Sequence, residues 1–301
     1  MSTKLKENDW TVLMRRISDG KCTPFLGAGA AYGLLPLGSQ IAKDWAKEYK
    51  YPLEDTGNLE SVATYLAVQH DPMYPKDEIL EQWFQNPKLP DFTNPDEPHI
   101  ALARLPLPIY ITTNYDRFMT KALETVGKKP HRALCRWNDS IDDKLFSFDK
   151  DSGLEPSPDE PVVFHLHGHD ESVESLVLTE KDYLDFLVRV SKDNDLIPHQ
   201  IRRCFANTSL LFVGYSLADW SFRVLFRGLV TQVPPGQRRI SVTIQLPPIP
   251  DENMPEPQRS EIETYLSKYF EQDDIRVYWG TAQEFMTELR TRWEAFQSKN
   301  V

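Results

Sequence analysis

Three short segments, far apart in the chain, carry the residue types of one nucleotide site: PFLGAGAA at 24–31, YITTNYD at 110–116 and FHLHG at 164–168. Each is an apolar, strand-like run that stops at small or polar residues. In an open α/β sheet such strand ends meet at the crevice where ligands bind. In the run Gly27-Ala28-Gly29-Ala30 the glycines permit a tight turn and let backbone N–H groups approach a pyrophosphate. The helix that follows adds partial positive charge there. A plain strand-to-helix turn would use the same glycines. The spacing GxGxxG of a hydride-transfer domain is not met, because Gly33 comes one residue late.

Asn114 and Asp116 stand two apart at the end of the second run. If that stretch is extended, both side chains face one way. The competing reading is a helix cap, a place both residue types favour, although one cap needs only one of them. His165, His167 and His169 alternate on the third run. A metal reading needs further ligands at a matched spacing, and no such set is evident. A neutral histidine at the ligand-binding edge serves better as a general base. His167, just before Gly168, is the candidate; His165 is expected buried behind it and His169 exposed. A fourth run, LLFVGYSLAD at 210–219, ends in small residues, so that Gly214 and Ser216 could lie against a ribose or phosphate while Asp219 caps the next helix.

The elements that must position these groups alternate. Apolar spacing predicts helices over 9–18, 36–50, 59–68, 76–84, 116–126, 219–229 and 283–297. Strands are predicted at 23–26, 108–112, 162–166, 209–213, 239–246 and 275–279. The stretch 51–100, broken by DPMYP and NPKLPDFTNPDEP, reads as a small helical insertion within one domain of 1–301; the polar segment 138–160 reads as a surface excursion. The pattern predicts an α/β fold, a Rossmann-like doubly wound parallel sheet with right-handed crossovers.

Composition narrows the function classes. A formal charge of -11 argues against a broad nucleic-acid face or an anionic membrane surface, since both need positive charge. No apolar run approaches the ~18 residues that span a bilayer. MSTKLKENDW has no signal-peptide core, so the expectation is a cytoplasmic protein. The three cysteines, Cys22, Cys135 and Cys204, are scattered with no CxxC pair, which excludes a four-thiolate zinc module. Cys22 reads as a small buried residue, not a nucleophile.

Taken together, GAGA, TTNYD, HLHG, LVLTEKDY at 176–183, LLFVGYSLADWSF at 210–222 and VYWGTAQEFMTEL at 277–289 resemble the sirtuin-like (silent information regulator) domains of bacteria, in that family's order. The resemblance implies a Rossmann-type NAD-binding core with a smaller helical module. By position, Asn114 matches the residue that contacts the nicotinamide ribose, Asp116 the one near the carboxamide and His167 the catalytic base. Gly27, Ala28 and Gly29, with Ala30 beside them, match the pyrophosphate loop, and Gly214 and Ser216 the adenosine half. There are two departures: Ala31 stands where the family has Ser, and the zinc module of protein-deacylating sirtuins is missing. The chain therefore resembles the zinc-free group of antiphage systems, which hydrolyse NAD+ to nicotinamide and ADP-ribose. That group implies no metal, a homo-oligomer, and gating by assembly or by a partner such as a hexameric DNA-translocating ATPase or an Argonaute-type protein. Two other readings stay open: a zinc-free deacylase or ADP-ribosyl transferase, and a non-catalytic NAD or ADP-ribose sensor.

Overall fold

The computed structural model describes residues 5–141, 155–193, 195–215, 224, 239–246 and 256–300. The seven strands are β1 (Cys22–Leu26), β2 (Ile109–Thr112), β3 (His131–Leu134), β4 (Val162–His165), β5 (Ser209–Val213), β6 (Ser241–Gln245) and β7 (Ile275–Trp279). They form one sheet in the order β3-β4-β2-β1-β5-β6-β7, every pair parallel. All residues of β1, β2, β4, β5 and β6 are buried, as a parallel sheet covered on both faces requires. The chain leaves β1 toward β2 on one side, and leaves β5 toward β6 on the other. The carboxyl ends of β1 and β5 are thus the point where the winding reverses, the place where an open sheet of this kind offers a ligand crevice.

Alternation along the strands sorts side chains to the two faces. Phe25, Ile111, Phe164 and Phe212 join Phe186 and Phe205 on one face. Leu26, Tyr110, Val163, Leu211 and Val213 meet Trp10, Leu123 and Phe285 on the other. Pro24 lies in central strand β1 without an N–H to donate. It is tolerated because pairing with β2 begins only at Phe25.

A third apolar cluster belongs to a helical module. Ile41 and Trp45 of α2 (Gly38–Glu48), Val62 and Leu66 of α3 (Leu59–Gln69) and Ile79 of α4 (Tyr74–Ile79) pack with Leu176 and Leu178. The turn Leu80–Phe84 prolongs α4 as a wider helical turn. This packing unit starts earlier than residue 51. At its other end α5 (Pro98–Ala103) packs on α6 (Phe118–Thr125) and on the helix Ala282–Asn300.

Sequence patterning misses several elements. Strand β3 has only two buried residues, α5 has six residues, α7 (Glu180–Lys192) buries only Phe186, and α8 (His199–Asn207) follows it through a short proline-containing turn. Short or half-exposed elements leave little periodicity to read. The expected helix at 219–229, Ser216, Asp219 and residues 142–154 of the expected excursion lie outside the described residues.

Two glycines with the same backbone twist separate steric need from conformational need. Gly33 (φ +83°) has nothing within 4 Å of where a Cβ would stand, whereas a Cβ on Gly214 (φ +80°) would lie 2.1 Å from the Ala30 nitrogen. Gly33→Ala should cost about 1–2 kcal/mol of unfolding free energy from the left-handed backbone alone. Gly214→Ala should cost clearly more or prevent folding, as urea denaturation would show; equal losses would contradict the packing described.

Candidate active site

At the switch point the two glycine turns are pressed together. Gly27 N–H donates to Val213 O (2.9 Å), Gly29 N–H to Gly214 O (2.9 Å) and Ala30 N–H to Gly27 O (2.9 Å). A Cβ on Gly27 would come 2.9 Å from Gly214 O, and one on Gly29 2.9 Å from Gly214 Cα. The glycines therefore allow loop-on-loop contact, and three of the loop's N–H groups are bonded within the protein. Tyr215 locks the arrangement: its hydroxyl donates to Leu26 O (2.9 Å) and lies 2.7 Å from Thr113 Oγ1.

Asn114 stands immediately beside this contact. Its amide Nδ2 donates to Gly27 O (3.1 Å) and its N–H to Thr112 Oγ1 (2.9 Å). Because a carbonyl can only accept, the amide orientation is fixed, and Oδ1 is the atom left to accept from a ligand. β2 ends at Thr112, so strand alternation does not extend over Asn114 and Asp116. Asp116 is buried and its Oδ1 accepts the Phe118 N–H (2.8 Å) at the start of α6. Burial pushes its carboxyl pKa up, opposed by the nearby His99 and by the Phe118 N–H.

Strand register brings the third motif alongside. Thr112 pairs with His165, so Asn114 and His167 each sit two residues beyond a matched pair on neighbouring strands, about 4.8 Å apart. His165 Nδ1 donates to Asn114 O (3.0 Å), a direct tie between the two motifs. His165 is buried, as expected from sequence. His169, expected exposed, is fully buried as well. The reason is that β4 ends at His165, so the three histidines do not share one strand face. Gly168 (φ +88°) turns the chain so closely onto Ser175 that a Cβ would lie 2.3 Å from Ser175 O. His169 is drawn inward with it, its Nδ1 accepting the Glu171 N–H (3.0 Å).

The environment of His167 is apolar and edge-on aromatic, with Phe186 at 5.0 Å and Tyr183 at 5.9 Å between ring centroids. Burial holds its pKa down to about 4, so the ring is neutral at pH 7. Its Nε2 is enclosed and has no hydrogen-bond partner among the described residues. Unpaired buried nitrogens are rare in native proteins.

Sequence reasoning missed the groups that hold these turns. Arg117 reaches Asp170 (2.7 Å) and Glu171 (2.6 Å), and Arg132 reaches the same two carboxylates (3.3 and 3.0 Å). Asp170 N–H also donates to Tyr115 O (3.0 Å), joining the histidine turn to the Asn114 turn. Tyr115 packs on Phe84 of the helical module (5.6 Å) and donates its hydroxyl to Val177 O (2.7 Å). Lys76 of the same module pairs with Asp182 in α7 (3.0 Å), both side chains largely buried. No short motif announces these contacts, because each joins segments remote in sequence. Gly214 lies against the Gly27–Ala30 turn.

A family model described as a SIR2-like domain matches residues 108–276. The chain is similar to the NAD(+) hydrolase ThsA of Cytobacillus dafuensis, 27% identical over 208 residues, which are 68% of this chain and 37% of the relative. It is similar also to the NAD(+) hydrolase ThsA of Enterococcus faecium, 25% identical over 227 residues, 70% of this chain and 41% of that protein. To the ThsA of Bacillus cereus (strain MSX-D12) it is 31% identical over 123 residues, 41% of this chain and 22% of the relative. The chain thus spans about two-fifths or less of the length of these curated relatives. Among the described residues no helix is long and apolar enough to cross a membrane.

Three neutral histidines, His165 and His169 buried and His167 half-buried, give stability a pH dependence of definite sign. Burial lowers His167 to about 4, His165 to about 3 and His169 to about 2, from 6.5. Below pH 6.5 the unfolded chain takes up protons that the folded chain refuses, so stability is full above that pH and falls as pH drops. Each histidine contributes a slope of about 1.4 kcal/mol per pH unit until its folded pKa is reached. The raised Asp116 and Asp170 carboxyls offset part of this. The urea midpoint should be flat near pH 7 and decline below about 6; a midpoint unchanged to pH 5 would rule out buried neutral imidazoles.

Proposed function

The chain belongs to the SIR2-like domain family, and from that premise we propose that it is an NAD+ hydrolase that breaks the nicotinamide–ribose bond and releases ADP-ribose. One observation carries the reading: a fixed Asn114 amide and a neutral His167 with an enclosed, unpartnered Nε2 leave adjacent strands at the same edge of the sheet. The names of the ThsA relatives support it.

The chemistry fits those groups. The C1′–N bond breaks with its electron pair going to the pyridinium nitrogen, so nicotinamide leaves neutral and needs no acid. The ribose passes through an oxocarbenium-like state, as in other glycoside hydrolyses. Water then bonds to C1′ and gives up one proton. Asn114 Oδ1 accepts from a ribose hydroxyl or the attacking water and orients it. His167 Nε2 takes the proton, a contribution of about 10²–10⁴ in rate. The pyrophosphate lies against the Gly27–Ala30 and Gly214 turns, with Asp116 shaping the carboxamide end.

In the cell, we infer, the reaction depletes NAD+ in the cytoplasm as a response to phage. Unrestrained hydrolysis would kill the host, so assembly into an oligomer or contact with a partner, such as a translocating ATPase, gates it.

Asn114→Ala and His167→Ala should each lower nicotinamide release at least 100-fold while keeping the wild-type circular dichroism spectrum. The wild-type rate should not respond to added acyl-lysine peptide. Release that requires the peptide would make the chain a deacylase, and tight NAD+ binding without nicotinamide in every assembly tested would make it a sensor.

A further inference from the structure

The turns that carry Asn114 and His167 are joined by charge at matching positions. Arg117 follows Asn114 by three residues and Asp170 follows His167 by three. Arg117 Nε donates to Asp170 Oδ2 (2.7 Å), and its Nη1 reaches Glu171 Oε1 (2.6 Å). Arg132 takes the other oxygen of each carboxylate, Asp170 Oδ1 at 3.3 Å and Glu171 Oε2 at 3.0 Å. The two arginines differ in where they come from. Arg132 lies on edge strand β3, which pairs with β4, the strand that leads into the histidine turn. Its contacts stay on that side, and its side chain, 10% exposed, gives Asp170, 8% exposed, a largely dry cation. Arg117 is 42% exposed and crosses from the asparagine turn to the histidine turn. Without Arg117 both carboxylates keep a cation. Without Arg132 they lose the buried one, the more damaging loss for stability. A planar guanidinium that grips two adjacent carboxylates also fixes a distance, which a single point charge does not. The backbone bond from Asp170 N–H to Tyr115 O (3.0 Å) crosses between the turns beside this grip.

We propose that Arg117 is a positioning residue for the hydrolysis: by gripping Asp170 and Glu171 it sets the separation of the Asn114 amide from the His167 ring. This rests on the hydrolase reading above. Arg117 acts through the two turns, and Arg132 supplies the stability that lets the grip be tested alone. Reacting groups displaced by about 1 Å can lose about 10²-fold in rate, so a loosened grip falls on kcat.

The test sets Arg117→Gln against Arg132→Gln. Arg117→Gln should keep a urea midpoint close to wild type and a KM for NAD+ within about twofold, and lose about tenfold in kcat. Arg132→Gln should do the reverse, lowering the urea midpoint while kcat of the folded protein stays within about threefold. Arg117→Lys should stand between, about threefold below wild type in kcat, because the charge stays while the fork is lost. Unchanged kcat in Arg117→Gln, or equal kcat losses in the two Gln variants, would overturn the proposal. So would a raised KM at unchanged kcat, the mark of an arginine that binds NAD+ itself. Hydrogen exchange at the Asp170 amide separates this outcome from failure of the hydrolase reading. If wild type releases no nicotinamide at all, that amide should still exchange about tenfold faster in Arg117→Gln, and unchanged protection rejects the grip. Should Arg117→Gln not fold, the Lys variant decides: kcat and Asp170 exchange both equal to wild type would reject the fixed separation.

Discussion

Everything at the candidate site depends on two backbone turns touching without side chains between them. Gly27 and Gly29 at the end of β1 lie against Gly214 at the end of β5, and the hydrogen bonds that join them leave no space for a methyl group. This contact closes the point where the sheet reverses its winding. It also sets the Gly27 carbonyl, onto which the Asn114 amide locks. Were the turns an ångström further apart, that amide would lose its anchor and its orientation.

The second constraint is strand register. Parallel pairing of Thr112 with His165 puts Asn114 and His167 each two residues beyond the same register point, and a one-residue slip would turn the strand residues to the opposite faces. The fold resists such a slip because both faces of β2 and β4 are buried in separate apolar clusters. The His165–Asn114 bond then couples the two turns directly. Its donor is a histidine kept neutral by burial, its pKa held to about 3, so the tie does not change with pH in the neutral range.

Much of this was legible in the sequence and some was not, for reasons that differ by residue. Strands Ser209–Val213 and Ile275–Trp279 were readable to the residue, since short apolar runs flanked by polar residues have few alternatives. The Gly27–Gly29 turn, Asn114 and His167 were readable because their types are unusual at strand ends. His169 was misjudged because alternation was extended past the end of β4, where the positive φ of Gly168 redirects the chain. Strand β3 was missed because an edge strand with two buried residues has almost no pattern. The Arg117, Arg132, Asp170 and Glu171 network was invisible because its meaning lies in pairings made only by folding.

The Lys76–Asp182 pair gives the helical module a particular mechanical character. Both charges are largely dry, with the ammonium 5.4 Å above the Trp137 ring, and separating them within the protein would strand each without water at a cost of several kcal/mol. Full withdrawal, by contrast, would let both rehydrate. It would also bare the apolar cluster that the module shares with Leu176 and Leu178, so the module is pinned by charge and by apolar contact together. Because Tyr115 is braced against Phe84 of that module, the same pinning steadies the asparagine turn.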